Sequence, residues 1–136
     1  MGRIVGIDYG KVRTGIAVTD ELQLIASGLT SLPTEKVLSF LKDYVAEEPV
    51  ISFVVGEPKQ MNNMPSESEV MILDFIKELQ KVFPGMPVFR QDERFTSKMA
   101  VRSMVSSGMK KKSRKDKGMV DEISATLILQ GYLNKK

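Results

Sequence analysis

Alternating and β-branched apolar residues dominate the start of the chain and predict strands there. The segment Arg3–Tyr9 is apolar up to Asp8, and Thr14–Thr19 is rich in β-branched residues. Asp20 and Glu21 form a turn that leads into a third apolar segment over residues 22–32. Because consecutive strands joined by short turns pair antiparallel, we predict a three-stranded antiparallel meander.

Apolar residues spaced three and four apart predict four helices in the remainder of the chain. Thr34 is a candidate N-cap of the first helix, and a capping box over residues 66–69 precedes the second. Pro84 and Gly85 end the second helix, whose apolar stripe we assign to Val70, Leu73, Ile76, Leu79 and Val82. The third helix is predicted over residues 96–107 and the fourth over residues 118–132.

Two short strands separate these helices and complete the predicted fold. Residues 50–55 are all but continuously apolar, as expected for a strand covered on both faces, and residues 87–91 form a second short strand. Three strands followed by alternating helix and strand indicate a mixed sheet with helices on both faces. We therefore predict one α/β domain over residues 1–136.

The amino-acid composition excludes several kinds of active site. The 136 residues contain no Cys and no His, which excludes thiol chemistry, a Ser-His triad and a structural zinc site. Any metal must sit on oxygen ligands, which suit Mg²⁺, Mn²⁺ or Ca²⁺. The apolar runs are shorter than a membrane span and the first residues lack a signal peptide's apolar region. We expect a cytoplasmic protein that does not enter a membrane.

Charge is distributed unevenly along the chain. Residues 1–93 carry 9 basic and 14 acidic side chains, whereas residues 94–136 carry 11 basic and 3 acidic ones. The basic excess is concentrated in residues 110–117, and basic clusters are typical of nucleic-acid footprints. A solvated loop without a partner is the alternative. The candidate phosphate contacts in this run are Lys111, Lys112, Arg114 and Lys115.

Acidic residues stand at the ends of predicted strands. Asp8 ends the first apolar strand, where it either forms a turn or presents its carboxylate at the edge of the sheet. Glu93 follows the strand over residues 87–91 and is flanked by Asp92 and Arg94. Such acids can complement a helix dipole, but an acid beside a guanidinium at a helix start also suits a metal together with a phosphate.

A third carboxylate lies on a helix face that is otherwise apolar. Asp121 precedes Ala125 and Leu129 by four and eight residues, so the three share one face of the last helix. Asp121 either caps this helix or needs a cation, because burial of a lone charge is costly. If Asp8, Glu93 and Asp121 converge, they could hold two divalent ions, which together promote phosphodiester hydrolysis.

Four segments resemble, in order and spacing, the motifs of the YqgF/RuvX-type family of pre-16S rRNA nucleases, whose members were once called Holliday junction resolvases. The segments are Gly6–Ala17, Val54–Pro58, Asp92–Ser97 and Lys117–Asp121. They span nearly the whole chain, and their combination is far more specific than any one of them.

The resemblance implies an RNase H-like fold with five strands, of which the first three are antiparallel. It also implies a metal-dependent nuclease that uses Mg²⁺ or Mn²⁺, in a pair of ions, to process the 5′ end of pre-16S rRNA in the cytoplasm. Asp8, Glu93 and Asp121 would be the catalytic metal ligands, with Asp8 bridging the ions. Arg13, Arg94 and Lys117 would contact phosphate.

Two departures from the family pattern raise separate questions. Glu57 stands where the family usually has an apolar residue, and it is either a fourth metal ligand or a solvent-facing loop residue. The loop over residues 59–65 contains Asn62 and Asn63 where the family often has a glycine-containing turn, which affects substrate entry.

Three other functions remain open at this stage. An actin-like ATPase would share the Gly-x-Asp-x-Gly element but needs a second such domain. A non-catalytic RNA- or ribosome-binding module would bind without cleaving. A DNA endonuclease that resolves Holliday junctions requires a two-fold dimer for symmetric cutting, whereas we expect a monomer or a weak homodimer. The sequence does not distinguish RNA from DNA as the substrate.

Overall fold

The computed structural model describes residues 2–58, 68–92 and 117–135, with the side chains of residues 117–119 excepted. The strands in this described part of the chain are β1 (Arg3–Asp8), β2 (Arg13–Thr19), β3 (Ala26–Pro33), β4 (Val50–Glu57) and β5 (Val88–Asp92). The described helices are α1 (Val37–Glu47), α2 (Glu69–Val82) and α3 (Lys117–Asn134), and a 3₁₀ turn over Thr34–Lys36 leads into α1. The helix predicted over residues 96–107 lies outside the described residues.

The strands form one mixed sheet in the order β3-β2-β1-β4-β5. β1 pairs antiparallel with β2, and β2 pairs antiparallel with β3, which confirms the predicted meander. β4 runs parallel to both β1 and β5. The carboxyl ends of β1, β4 and β5 therefore lie along the same edge of the sheet.

The helices cover both faces of the sheet, as predicted. On one face, α1 and α2 pack on a core that includes Ile7, Leu41 and Phe53. On the other face, α3 packs on a smaller core through Ala125, Ile128 and Leu129. Alternation along β1 assigns Val5 and Ile7 to the first core and Ile4 to the second. The described helices include none that is long and apolar enough to cross a membrane.

Glycines on the sheet allow α3 to lie very close to it. A Cβ atom on Gly6 would come within 2.9 Å of the Leu129 Cβ. A Cβ atom on Gly15 would come within 2.1 Å of the Asp121 backbone oxygen. Since only glycine lacks a Cβ, the sequence of β1 and β2 sets how near the start of α3 can approach β2.

The third strand begins at Ala26, later than the predicted residue 22. The Asp20 carboxylate accepts hydrogen bonds from the backbone N–H groups of Leu24 at 2.8 Å and of Ile25 at 2.9 Å. These bonds hold the segment before β3 in a compact turn instead of a strand. They also lower the pKa of Asp20, with the bond from Ile25 the largest cause.

Two expectations about helix starts and faces were wrong. Thr34 does not cap α1, because its hydroxyl donates to the carbonyl oxygen of Gly10 instead. Val70 and Leu73 are exposed, and the buried stripe of α2 is formed by Ile72, Phe75, Ile76 and Leu79. The predicted stripe repeats strictly every three residues and so drifts around the helix, whereas the buried stripe combines three- and four-residue steps that keep to one face. Residue 66 of the predicted capping box lies outside the described residues, and α2 has Ser68 as its N-cap.

Candidate metal and nucleic-acid site

The parallel strands end in acidic residues at a common edge of the sheet. Asp8 is the last residue of β1, Glu57 of β4 and Asp92 of β5. Glu57 and Asp92 are in register with each other. The carboxyl edge of an open α/β sheet is where ligands usually bind, so this edge is the natural place for the candidate site.

Asp8 and Asp121 approach each other across Gly15. Gly15 is the antiparallel partner of Asp8, and partners across a ladder place their side chains on the same face. That face is covered by α3, because the Gly15 Cα lies directly against the backbone of Asp121. The structure thus brings together two of the three carboxylates predicted from the sequence, although they lie 113 positions apart.

Arg13 and Ser31 hold the carboxylate of Asp121. The Arg13 Nε donates to Asp121 Oδ2 at 2.9 Å, and Ser31 Oγ donates to the same oxygen at 3.4 Å. Ser31 is the β3 partner of Gly15, so Asp8, Gly15 and Ser31 form one row across three strands. The Asp121 side chain is 22% exposed and that of Arg13 is 39% exposed. Asp121 is therefore oriented by its neighbours and still open to solvent.

Glu57 lies on the opposite face of the sheet from Asp8. Val54 belongs to the core under α3 and Val55 to the core under α1 and α2. Continued alternation places Glu57 on the same face as Val55. This placement argues against Glu57 as a fourth metal ligand beside Asp8, and Glu57 ends β4 instead of lying in a loop.

Most of the predicted cationic contacts, and one predicted carboxylate, lie outside the described residues. These are Glu93, Arg94, Lys111, Lys112, Arg114 and Lys115. Lys117 is the first residue of α3, four positions before Asp121, and only its backbone is described. Arg13 is thus the candidate phosphate contact whose side chain can be placed.

The donors that the structure brings together suit a hard divalent cation. Asp8 and Asp121 supply carboxylate oxygens on one face, and such oxygens are the ligands that Mg²⁺ and Mn²⁺ prefer. Within residues 2–58, 68–92 and 117–135, no group of three or more acidic side chains is close enough to hold an ion. The described residues therefore include two of the three predicted ligands, and the third, Glu93, lies outside them.

Arg90 is a structural cation at this edge that the sequence analysis did not identify. It forms a bidentate pair with Glu69, with Nη2 at 2.7 Å from Oε1 and Nη1 at 3.1 Å from Oε2. It also donates to the backbone oxygens of Val55 and Gly56. Arg90 therefore joins the start of α2 to the ends of β4 and β5. The signal available in the sequence was a lone Arg in a short strand two residues before Asp92.

A groove of about 510 Å³ on the other face of the sheet is separate from these carboxylates. Its lining includes Tyr9 and Phe75, and it carries three acidic and two basic side chains. Because Asp8 faces α3, the groove and the carboxylate pair lie on opposite sides of the sheet. The mixed charge of the groove gives it no preference for a polyanion.

Comparison with known protein families and curated proteins gives consistent matches over the full chain. Residues 2–135 match the family described as RuvX, Holliday junction resolvase. A protein of Flavobacterium johnsoniae is 58% identical over 136 residues, covering all of this chain and 99% of its own length. A protein of Christiangramia forsetii is 59% identical over 133 residues, covering 98% of each chain. Both carry the name "Putative pre-16S rRNA nuclease".

Solved structures support the fold at lower sequence identity. RuvC of Thermus thermophilus in complex with a Holliday junction substrate matches with a TM-score of 0.58 and 19% identity, covering 99% of this chain and 96% of that one. A second structure of Thermus thermophilus RuvC matches with a TM-score of 0.54 and 18% identity, covering 98% of this chain and 96% of that one. These matches confirm the predicted RNase H-like fold. The nuclease class named for the curated relatives is the class that the four motifs predicted, and the chain belongs to the RuvX family.

Proposed function

We propose that this protein is a metal-dependent nuclease that hydrolyses phosphodiester bonds in pre-16S rRNA during maturation of the 5′ end. The observation that carries the proposal is the convergence of Asp8 and Asp121 across Gly15, on the α3 face of the sheet's carboxyl edge. The names of the curated relatives support the choice of substrate.

The carboxylates would form the catalytic centre with Glu93 as the third member. Asp8, Glu93 and Asp121 would hold Mg²⁺ or Mn²⁺, in a pair of ions. When bound, such ions activate water and stabilise the leaving oxygen of a phosphodiester. The carboxylates contribute negative charge that attracts the ions, and their mutual repulsion is relieved only when cations are present.

Arg13 would orient Asp121 and contact the substrate with the same guanidinium group. Its Nε is committed to Asp121 Oδ2, and a guanidinium carries two further nitrogens that can donate to a phosphate. Because Arg13 and Ser31 both donate to Oδ2 of Asp121, the Oδ1 atom is the one that would bind a metal. On this division of donors an arginine should serve here better than a lysine, which presents a single nitrogen.

The basic run over residues 110–117, which ends in Lys117, would bind the phosphate backbone of the RNA together with Arg94. Phosphate contacts raise affinity without reading sequence, so these cations position the substrate and leave selection of the cleavage site to other features. Such binding weakens as salt rises, because each neutralised phosphate releases counterions. We place the enzyme in the cytoplasm, as a monomer or weak homodimer.

Cleavage of a labelled RNA that spans the 5′ flank of 16S rRNA tests the proposal. The assay compares Mg²⁺, Mn²⁺ and EDTA, with Asp8→Asn as the inactive variant and Glu122→Gln as the matched control beside Asp121. We expect metal-dependent cleavage by the native protein and the control, and none by Asp8→Asn. A four-way DNA junction in the same assay tests the alternative activity named for the family.

Two outcomes would replace the proposal. Cleavage of the junction with no cleavage of the RNA would assign the protein as a DNA endonuclease. Salt-sensitive RNA binding with no cleavage in any metal would assign it as a non-catalytic RNA-binding module.

A further inference from the structure

The turn that follows Asp8 is closed by a ring of three hydrogen bonds. The Gly10 N–H donates to Thr14 Oγ1 at 3.4 Å, the hydroxyls of Thr14 and Thr34 lie 2.8 Å apart, and the Thr34 hydroxyl donates to the Gly10 carbonyl oxygen. Thr34 also donates its backbone N–H to the carbonyl oxygen of Val12 at 3.0 Å. Neither threonine was singled out for this role by the sequence.

The direction of each bond in the ring follows from donor counting. A carbonyl oxygen can only accept, so the single hydroxyl hydrogen of Thr34 is used on Gly10. The hydroxyl of Thr14 must then donate to Thr34, and its oxygen accepts the N–H of Gly10. Every donor in the ring has an acceptor, and such closed chains of hydrogen bonds reinforce one another.

The ring fixes the backbone that follows Asp8, and packing fixes the residues immediately before and after it. Thr14 is fully buried, and the carbonyl and N–H of Gly10 are both used in the ring. Tyr9 packs against Phe75 with ring centroids 4.9 Å apart and the ring planes tilted by 36°, and Ile7 is fully buried. Asp8 is thus held between two anchored neighbours, and the orientation of its carboxylate is limited to side-chain rotation.

We propose that Thr14 and Thr34 are positioning residues for the metal site, acting through Gly10 on the carboxylate of Asp8. The inference rests on the proposed function, since it assumes that Asp8 is a metal ligand. Neighbours that orient a ligand commonly change metal affinity by about tenfold or more when removed. The threonines lie on the face of α1 and α2, away from Asp8, and so would not touch the metal or the RNA.

The first test measures Mn²⁺ affinity by electron paramagnetic resonance in the native protein, Asp8→Asn, Thr34→Val and Thr34→Ser. Valine keeps the shape of threonine and removes the hydroxyl, whereas serine keeps the hydroxyl. We expect Thr34→Val to weaken Mn²⁺ binding about tenfold and Thr34→Ser to stay close to the native protein. Excess Mn²⁺ should restore cleavage by Thr34→Val and not by Asp8→Asn, which separates positioning from loss of a ligand.

The second test uses only the native protein, so it holds even where Thr34→Val fails to fold. Hydrogen exchange at the Gly10 amide is followed by NMR with and without Mg²⁺. If the ring strengthens metal binding, then a bound metal must stabilise the ring by the same free energy. Mg²⁺ should therefore slow hydrogen exchange at the Gly10 amide. The amides of Leu24 and Ile25, which are bonded to Asp20 at the far end of β2, should not change.

The outcomes distinguish failure of this inference from failure of the proposed function. Native Mn²⁺ binding that is lost in Asp8→Asn but unchanged in Thr34→Val would overturn the role of the ring and leave the nuclease proposal standing. Gly10 exchange that does not respond to bound Mg²⁺ would overturn it equally. A native protein that binds no Mn²⁺ would remove the proposed function and this inference together.

Discussion

Arg13 on β2 donates its Nε to the carboxylate of Asp121 on α3 at 2.9 Å, and so links residues that are 108 positions apart. The contact depends on Gly15, two residues further along β2, against which the backbone of Asp121 packs. Strand pairing then places Asp8 beside Gly15. The candidate site is therefore built on the close approach of one helix to one strand.

Replacement of Arg13 by lysine should impair the enzyme although it conserves the charge. Lysine cannot bond Asp121 through one nitrogen while presenting others to a phosphate. We expect kcat/KM for RNA cleavage to fall about tenfold, which corresponds to the loss of roughly one charge-assisted hydrogen bond. The free energy of unfolding should change by less than about 1 kcal/mol, because the pair is partly exposed.

The matched control for Arg13→Lys is Lys11→Gln. Lys11 is an exposed cation in the same turn, and its loss should leave kcat/KM nearly unchanged. Equal activity of Arg13→Lys and the native protein would show that the guanidinium has no role beyond its charge.

Substitution of Gly15 by alanine should displace the start of α3. The new Cβ would lie 2.1 Å from the Asp121 backbone oxygen, so the helix must move away from β2. We expect a loss of about 1–3 kcal/mol in the free energy of unfolding, as for other overpacked positions, together with a loss of metal affinity. Urea unfolding and Mn²⁺ titration measure the two effects.

Gly28→Ala provides the comparison for Gly15→Ala under the same helix. A Cβ on Gly28 would meet its nearest neighbours, Glu122 Cβ and Thr126 Oγ1, at 3.4 Å, which side chains can accommodate. A Gly15→Ala protein as stable and as competent in metal binding as Gly28→Ala would contradict the close approach described above.

Replacement of Arg90 by methionine should destabilise the edge of the sheet next to Asp92. The Glu69 side chain is only 13% exposed and would lose both of its hydrogen bonds to the guanidinium. Removal of one partner from such a pair leaves a poorly solvated charge, and we expect a cost of about 2–4 kcal/mol by urea unfolding.

Two further variants make the Arg90 prediction specific. Glu69→Gln combined with Arg90→Met should recover part of the lost stability, because the uncompensated charge is gone. Lys81→Gln breaks an exposed pair with Glu78 and should have no measurable effect. If Arg90→Met were as mild as Lys81→Gln, the pair would be contributing nothing to this edge.

The contribution of Asp20 to stability should depend on pH. Backbone hydrogen bonds lower the pKa of Asp20 in the folded state below its ordinary value. The stabilisation is therefore fully present above the unfolded-state pKa and is lost as the pH falls through the folded-state pKa. We expect Asp20→Asn to be less stable than the native protein at pH 7, with the gap closing towards pH 3.

Thermal unfolding of Asp20→Asn and Glu21→Gln across this pH range measures the effect. Glu21 is the exposed neighbouring acid and should show no comparable gap. A difference between native protein and Asp20→Asn that stays constant from pH 7 to pH 3 would be inconsistent with the carboxylate as its origin.

Local patterns predicted the sheet well because each strand carries its own signal. The apolar run before Asp8 and the continuous run over residues 50–55 each indicate a strand without knowledge of the rest of the chain. The stripe of Asp121, Ala125 and Leu129 likewise predicted which face of α3 meets the sheet, and Ala125 and Leu129 are fully buried.

Contacts between distant side chains could not be predicted in the same way. The third strand begins later than predicted because the Asp20 carboxylate accepts hydrogen bonds from the backbone N–H groups of Leu24 and Ile25. A pattern of apolar residues does not reveal such bonds. Threonine is a residue type that often caps helices, and Thr34 stands just before α1. In the folded protein its hydroxyl donates to the Gly10 carbonyl oxygen instead. The Arg13–Asp121 and Glu69–Arg90 pairs likewise depend on the tertiary fold, because no short spacing along the chain connects their members.

The position of Mn²⁺ in crystals of the protein, located by anomalous scattering, tests the central claim most directly. We predict an ion bound by the carboxylates of both Asp8 and Asp121, at the roughly 2.0–2.2 Å separation typical of small hard divalent cations, and no such ion in crystals of Asp8→Asn. A well-occupied Mn²⁺ site that involves neither Asp8 nor Asp121, and that persists in Asp8→Asn, would contradict the assignment of this edge of the sheet as the catalytic centre.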